Sequence, residues 1–392
     1  MLRLANGVKT FSIYTFCVIP SLNEIDWRGF LARPALELPP REVFGTLSRK
    51  TILITGAGGS IGSALALRLA FLVSPSLILL DTSENGLHDL QRKLHDLQRS
   101  FGKSEATEPA TFILGSAGDR LLMEELFAAH EPGIVFHAAA HKHVPIVEEQ
   151  PLAAIANNVF GTENVTAVAA AHSARVVLLS TDKAVAPASL MGATKRVAEE
   201  MALASSGTVL RLGNVLGSRG SVTEEFARQI ARGGPLTVTD PSARRYFLTM
   251  DEAVNLLLIA AAQSDFSALL APALPATHSI VELACFMARE LAPDRKIAIE
   301  FIGLRPGDKL TEMLWTRADH IHSVGSGNLV SIRPSLLDPM QFKSGLAALH
   351  AALAERNLSA AIAQLRLLVP DYRPSETMVA ILRRHAGTRV CA

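Results

Sequence analysis

Cysteine is scarce: three residues in 392, Cys17, Cys285 and Cys391. They are odd in number, far apart and without CxxC spacing, which excludes a disulfide framework and a cysteine zinc site and points to a reducing compartment. Long apolar runs are missing as well. Although 49% of the residues are hydrophobic, none of the runs reaches the ~18 residues that cross a bilayer. The longest candidate, Phe11 to Pro20, is interrupted by Ser and Thr and followed by acidic residues. Arg3 and Lys9 ahead of it resemble the start of a signal peptide, but no small-residue cleavage site follows, so the expectation is a cytoplasmic protein with no membrane span. Nor is there an excess of either charge. The formal net charge is +1 with mixed signs throughout, which lacks the basic footprint of a nucleic-acid partner. Repeats and low-complexity tracts are absent. The chain is long enough for one large or two ordinary domains with a real core.

Residues 1–48 carry few periodic signals, and Pro34, Pro39 and Pro40 make Arg33 to Arg41 an extended lead-in. From Thr51 a regular alternation begins. Short β-rich apolar runs stand at Thr51–Thr55, Leu77–Leu80, Thr111–Leu114, Ile134–Phe136, Val176–Leu179 and Val209–Leu212. Helical spacing fills Ile61–Leu72, Gly86–Arg99, Arg120–His130, Leu152–His172 and Thr194–Ala204. Continuous apolar strands separated by helices predict a parallel sheet covered on both faces, a doubly wound α/β domain over 49–216. After Gly217 the alternation breaks down. Helices are expected at Val222–Arg232, Asp251–Gln263 and His278–Leu291, a short strand at Leu236–Val238, and poor periodicity over 264–277. Residues 217–335 read as a smaller mixed substrate lobe partly interleaved with the sheet, and 336–392 as a helical tail with Ser344–Leu368 as one helix.

Two motifs carry chemistry. Thr55-Gly56-Ala57-Gly58-Gly59-Ser60-Ile61-Gly62 follows the first strand and opens the first helix. Glycines at 56, 59 and 62 suit a sharp turn against a pyrophosphate, and the helix N-terminus at Ser60 and Ile61 offers free N–H groups to that anion. Asp81 ends the second strand, where a carboxylate bonds an adenosine ribose diol and disfavours a 2′-phosphate; Ser83 is grouped with it. The expected cofactor is NAD, with NADP disfavoured. A bare Gly-rich turn is weak evidence, but between strand and helix, with the acid at the right distance, it becomes specific. Ala138, Ala139 and Ala140 end the fourth strand and let the chain pass close beneath a cofactor. His137, His141 and His143 straddle the same strand end without an acidic neighbour at ligand spacing, so no metal is expected.

The second motif is Ser180-Thr181-Asp182-Lys183 at the end of the fifth strand, followed by Met191-Gly192-Ala193-Thr194-Lys195 at the opening of a helix. In an open α/β sheet the carboxyl ends of strands are where ligands bind. A surface ion pair is the ordinary reading of adjacent Asp and Lys; beside a cofactor turn a site is the better one.

Together these stretches resemble an extended short-chain dehydrogenase/reductase, and more closely the bacterial nucleotide-sugar 4,6-dehydratases that act on UDP-N-acetylglucosamine for surface polysaccharide or glycan synthesis. The matching stretches are Thr55–Gly62, His137–Val144 with Glu148, Asn157–Thr162, Ser180–Val185, Met191–Arg196, Arg211–Val222, Arg245–Phe247 and Gly303–Leu310. The resemblance is closest to the larger, membrane-anchored branch, in which Met stands where short-chain dehydrogenases carry the catalytic Tyr; here that is Met191. Trp27–Leu38 resembles the linker preceding that branch's catalytic domain, so a version without the membrane part is expected.

That resemblance implies C4 oxidation by NAD⁺, loss of water across C5–C6, and hydride return to C6. Elimination beside a ketone needs a base for the C5 proton and an acid for the C6 hydroxyl. Lys183 is assigned as base and Asp182 as acid, on the expectation that a dry pocket lowers the lysine and raises the carboxyl; the roles can be exchanged within a coupled pair. Thr181 is expected on the C4 oxygen and Lys195 on the nicotinamide ribose. Met191 accepts no proton, which leaves the C4 base open. Asn214, Arg245 and Arg305 are expected to grip the UDP-sugar, with Lys142 and Arg219 secondary. Ser116, Asp308 and Asp240 depart from the family's usual Asp, Glu and His, and 268–278 lacks its Gly-Glu turn. A 4-keto reductase or epimerase of the same sugars, and a non-catalytic NAD sensor, are the competing readings. Leu152–His172 and Thr194–Ala204 are expected to offer the face of a homo-oligomer.

Overall fold

The computed structural model describes residues 22–388 apart from 23–24, 37, 40, 49, 73–75, 102–109, 264–266 and 325–326. The reading of Phe11 to Pro20, and Cys17 and Cys391, lie outside the described residues.

Among the described residues a nine-stranded sheet organises the chain. In chain order its strands are β1 Thr51–Thr55, β2 Ser76–Asp81, β3 Thr111–Leu114, β4 Ile134–His137, β5 Arg175–Thr181, β6 Thr208–Leu212, β7 Leu269–Pro272, β8 His320–Val324 and β9 Leu329–Arg333. They lie in the order β8-β9-β7-β6-β5-β4-β1-β2-β3. The central strands are almost wholly buried, as in Ile52, Leu53 and Ile54 at 0% exposure, because helices cover both faces. β1 runs parallel to both β2 and β4, and Thr55 is opposite His137. Strand order therefore reverses between β1 and β4, and the crevice at their carboxyl ends is where such a sheet binds ligands.

The third part of the sheet was not expected. Leu269–Pro272, inside the stretch read as poorly periodic, pairs parallel with β6, and the β8–β9 hairpin adds antiparallel strands beyond it. All four residues of β7 are buried, and so short an apolar run shows no alternation. Residues assigned to the substrate lobe thus extend the main sheet.

Two predicted helices are broken. Leu152–His172 is Pro151–Ile155, a wider π turn at Ala156–Phe160, and Gly161–Ala171. Ser344–Leu368 is Pro339–Ala354 and Leu358–Leu368. They are separated where Arg356 adopts φ 50° and Asn357 caps the second helix through Ala360 N at 3.2 Å. Asn and its neighbours favour such a restart over a continuous helix. A further helix follows at Glu376–Thr388.

The smaller lobe has its own core, with Phe226, Ile230, Leu236, Leu283 and Met287 buried together. The lead-in belongs to it: Phe30 packs on Phe247 at 5.5 Å and on Phe286 at 5.7 Å between ring centroids. Arg33 closes the join with a buried ion pair to Glu252 at 2.7 Å and a bond to Phe247 O.

The tail helices lie against the helix Leu190–Ala204. Thirteen of its residues are buried. Leu337 N donates to Glu200 Oε1 (2.9 Å), Arg196 Nη2 to Ser335 O (2.7 Å), and Phe160 meets His350 edge-on at 4.9 Å. The helix expected to offer a face to a second copy is enclosed within its own chain.

Candidate active site

The Gly-rich turn has the shape a pyrophosphate needs. Gly56 sits at φ +72°, and a Cβ there would meet Ala139 N at 2.6 Å, so only glycine lets the turn press on the strand-end alanines. Ala138 N donates to Thr55 O (3.0 Å), fixing that contact. Ser60 and Ile61 open the helix Ser60–Leu72, whose first N–H groups face the crevice end. Asp81 Oδ2 accepts from Gly58 N and Oδ1 from Ser83 N, both at 2.8 Å, while Ser83 Oγ caps the next helix through Gly86 N. The carboxylate is thus held at the rim of the turn. Arg219 N donates to Ser60 Oγ (2.9 Å), its guanidinium to Gly58 O, and Lys142 Nζ to Arg219 O at 2.7 Å. Arg219, expected on the substrate, thus lies over this turn, and Lys142 is tied to its carbonyl.

His137 is occupied as a structural group. Its Nδ1 pairs with Thr55 Oγ1 (2.7 Å) and its Nε2 with Thr162 Oγ1 (3.0 Å). Burial and then the neighbouring Lys195 bring its pKa down to about 3, so the ring is neutral. Lys195, 5% exposed, is brought down to about 8 by burial, with Glu199 pulling the other way.

Asp182 and Lys183 come together as expected. Asp182 is fully buried at 0% exposure. Its Oδ1 accepts from Thr181 Oγ1 (3.0 Å) and from Lys183 Nζ (2.9 Å), while Oδ2 is buried without a partner. Burial pushes this carboxyl up, against the pull of Lys183. Lys183 contradicts the sequence expectation. Burial works to lower it, but Asp182 and Glu312 outweigh that and hold it above the ordinary lysine value. A lone carboxylate partner was foreseen; the fold supplies two. Gly192 brings the next helix against this loop, since a Cβ there would lie 2.2 Å from Lys183 O. Met191 is buried one turn before Lys195 and carries no titratable group.

Asn214, expected on the substrate, accepts from Lys183 Nζ at 3.2 Å. Arg245 is 8% exposed; its Nη1 donates to Leu310 O at 3.0 Å, and its Nε stands 4.0 Å from Glu312. Arg305 is exposed and, with Arg245, faces Asp308, whose carboxyl burial pushes up against both cations. Tyr246, beside Asp182 and likewise pushed up by burial first, had no assigned role, nor had three buried acids, although Tyr246 and Glu148 lie in the stretches that carry the resemblance. Glu199 forms a two-pronged pair with Arg211, 2.8 Å on each side, and accepts from Ser180 Oγ at 2.6 Å. Glu148 joins Leu190 N (2.7 Å) to Ser375 Oγ (2.6 Å). Glu312 pairs with Lys309 at 3.0 Å. Glu199 stands beside Lys195, Arg196 and Glu200, and Glu312 beside Asp308 and Lys309, so no local pattern marks either as buried. The π turn presents Asn158 so that its amide reaches both Thr194 Oγ1 (3.0 Å) and His141 O (3.1 Å), tying the strand end to the helix Leu190–Ala204.

The family model described as "Polysaccharide biosynthesis protein" matches residues 52–334. The probable polysaccharide biosynthesis protein EpsC of Bacillus subtilis is 38% identical over 311 residues, 77% of this chain and 51% of its own length. This chain therefore spans about half of that relative. UDP-glucose 4-epimerase of Rickettsia canadensis is 36% identical over 283 residues, 69% of this chain and 79% of its own. Among solved structures, Pen from Bacillus thuringiensis superposes with a TM-score of 0.65 at 29% identity, covering 74% of this chain and 89% of that one. The chain belongs to the polysaccharide biosynthesis protein family.

Proposed function

We propose that this member of the polysaccharide biosynthesis family is an NAD-dependent nucleotide-sugar 4,6-dehydratase acting on UDP-N-acetylglucosamine. The observation that carries the reading is the ion pair at 2.9 Å between the buried Asp182 and the half-buried Lys183, at the carboxyl end of a strand beside a glycine turn shaped for a pyrophosphate. Epimerisation or 4-keto reduction requires no such pair; eliminating water next to a ketone requires both an acid and a base. The Rickettsia relative's name favours an epimerase as the second reading, with the same crevice and no use for the pair's proton.

NAD fits the turn by the Gly56 contact and by the Asp81 carboxylate held at its rim; when bound it accepts hydride from C4 and returns it at C6. Lys195 binds the nicotinamide ribose. Thr181 Oγ1 orients on the C4 oxygen. Asp182, raised by burial and with Oδ2 unbonded, holds a proton for the departing C6 hydroxyl. Lys183, once its proton has passed to Asp182, takes the C5 proton. Arg245 and Arg305 face the diphosphate, bidentate contacts that suit guanidinium. A homo-oligomer is proposed as well, through surfaces other than the enclosed helix.

Incubating the purified chain with NAD and UDP-N-acetylglucosamine should give a product lighter by one water. Asp182→Asn and Lys183→Met should abolish that loss while NAD binding persists. Water loss unchanged in either folded variant, or isomerisation without mass change in the parent, would refute the reading.

A further inference from the structure

Residues 305–312 fold back onto the catalytic loop from far along the chain. Lys309 Nζ donates to Val185 O (2.8 Å), just past Lys183, and to Glu312 Oε2 (3.0 Å). Leu310 O accepts from Arg244 N (2.7 Å) and Arg245 Nη1 (3.0 Å), and Thr311 bridges to Arg244. These contacts hold Glu312, 3% exposed, between Lys309 and Arg245 and within electrostatic reach of Lys183. Lys183 therefore has one buried carboxylate, Asp182, at hydrogen-bond distance and a second, Glu312, held nearby by Lys309 and Arg245. Asp308 on the same loop, Arg305, and Tyr246 beside Asp182 are the other titratable or charged groups facing this cluster.

The dehydration proposed above, on which this inference rests, needs the shared proton on Asp182 and a bare amine at Lys183. Transfer along the 2.9 Å hydrogen bond breaks one N–H bond and forms one O–H bond, with no net gain or loss of protons. Afterwards Asp182 is neutral and no longer attracts an ammonium. Glu312 still does, and so opposes the transfer. Lys309 and Arg245 balance Glu312 and so permit it. We propose that Glu312 is a positioning residue for the acid–base pair: with Lys309 and Arg245 as its counter-charges, it sets whether the proton shared by Asp182 and Lys183 rests on the amine or on the carboxyl.

The test reads Lys183 directly. The full chain is labelled with acetic anhydride over a pH series, and acetylation of Lys183 is followed by peptide mass spectrometry. In Glu312→Gln, half-labelling of Lys183 should move down by about one pH unit or more, the size of losing one adjacent opposite charge. Lys309→Met should move it up, and Glu312→Asp should restore the parent value. An unmoved midpoint in Glu312→Gln overturns the proposal, whatever product the enzyme makes; if that variant does not fold, an unmoved or lowered midpoint in Lys309→Met overturns it. A shifted midpoint in a chain that releases no water from UDP-N-acetylglucosamine supports the charge arrangement and refutes the dehydratase reading alone. In a chain that does release water, the limb of the kcat–pH profile that follows Lys183 should move with the labelling midpoint; a fixed limb overturns the proposal.

Discussion

Replacing Glu199 by Gln should destabilise the chain far more than replacing Glu199 and Arg211 together by Met. Glu199 is 0% exposed and Arg211 4% by side chain, and their two 2.8 Å bonds leave the guanidinium only Leu314 O besides. Burial works to raise the Glu199 carboxyl, but Arg211 overcomes it and holds the group below its ordinary value. A glutamine keeps the shape and removes the charge, so Arg211 is left buried and uncompensated, at a cost of about 3–5 kcal/mol. At an unfolding entropy of roughly 2.1 cal/mol/K per residue, 392 residues give about 0.8 kcal/mol/K, and Tm should fall by about 4–6 °C. The paired Met variant leaves no fully buried charge; it loses the bonds to Ser180 Oγ and Leu314 O and the longer 3.5 Å pair with the partly buried Arg196, about 1–2 kcal/mol in all. Differential scanning calorimetry on parent, singles and double completes the cycle. Because the lowered carboxyl contributes stability above its unfolded value, near 4.5, the gap between parent and Glu199→Gln should shrink as pH falls through that range. A double variant as destabilised as the sum of its singles would falsify the reasoning.

Lys195 gives a pH signature. With its pKa near 8 against an ordinary 10.5, the folded chain holds fewer protons than the unfolded one between those values, so this group's cost to stability fades as pH rises through that window. In the same rise the ammonium donor is lost, so NAD affinity measured by titration calorimetry should weaken about tenfold from pH 7 to pH 9; constant affinity would count against a ribose contact from Lys195. Gly192→Ala places a methyl 2.2 Å from Lys183 O. The loop must move, costing about 1–3 kcal/mol, and kcat should fall while NAD affinity holds; a fully active variant would show that the close approach is not needed.

Much of the sheet and both motifs were legible because they are local. Apolar strands such as Thr51–Thr55 and the spacing of Gly56, Gly59 and Gly62 announce themselves within a few residues. The strand Leu269–Pro272 and the hairpin beyond it were not, because their identity comes from pairing with β6 and not from their own pattern. The charge on Lys183 is illegible for a related reason: Glu312 is brought near it by the Lys309 and Arg245 contacts, which no local window contains. Likewise Leu152–His172 reads as one smooth helix, because the π turn coincides with Asn158 contacts to His141 and Thr194 that lie outside any local window.

Enclosure of the helix Leu190–Ala204 by the sheet on one side and the tail on the other leaves it no wet flank. Of its residues only Arg196 and Ala204 escape full burial. A surface helix can accept changes on its solvent stripe at little cost; this one has no such stripe, and its first turn is pinned through Glu148 to Ser375 near the far end of the chain. Alterations in the distal tail are therefore mechanically adjacent to Met191 and Lys195, and the shape of this crevice is set partly by residues that never line it.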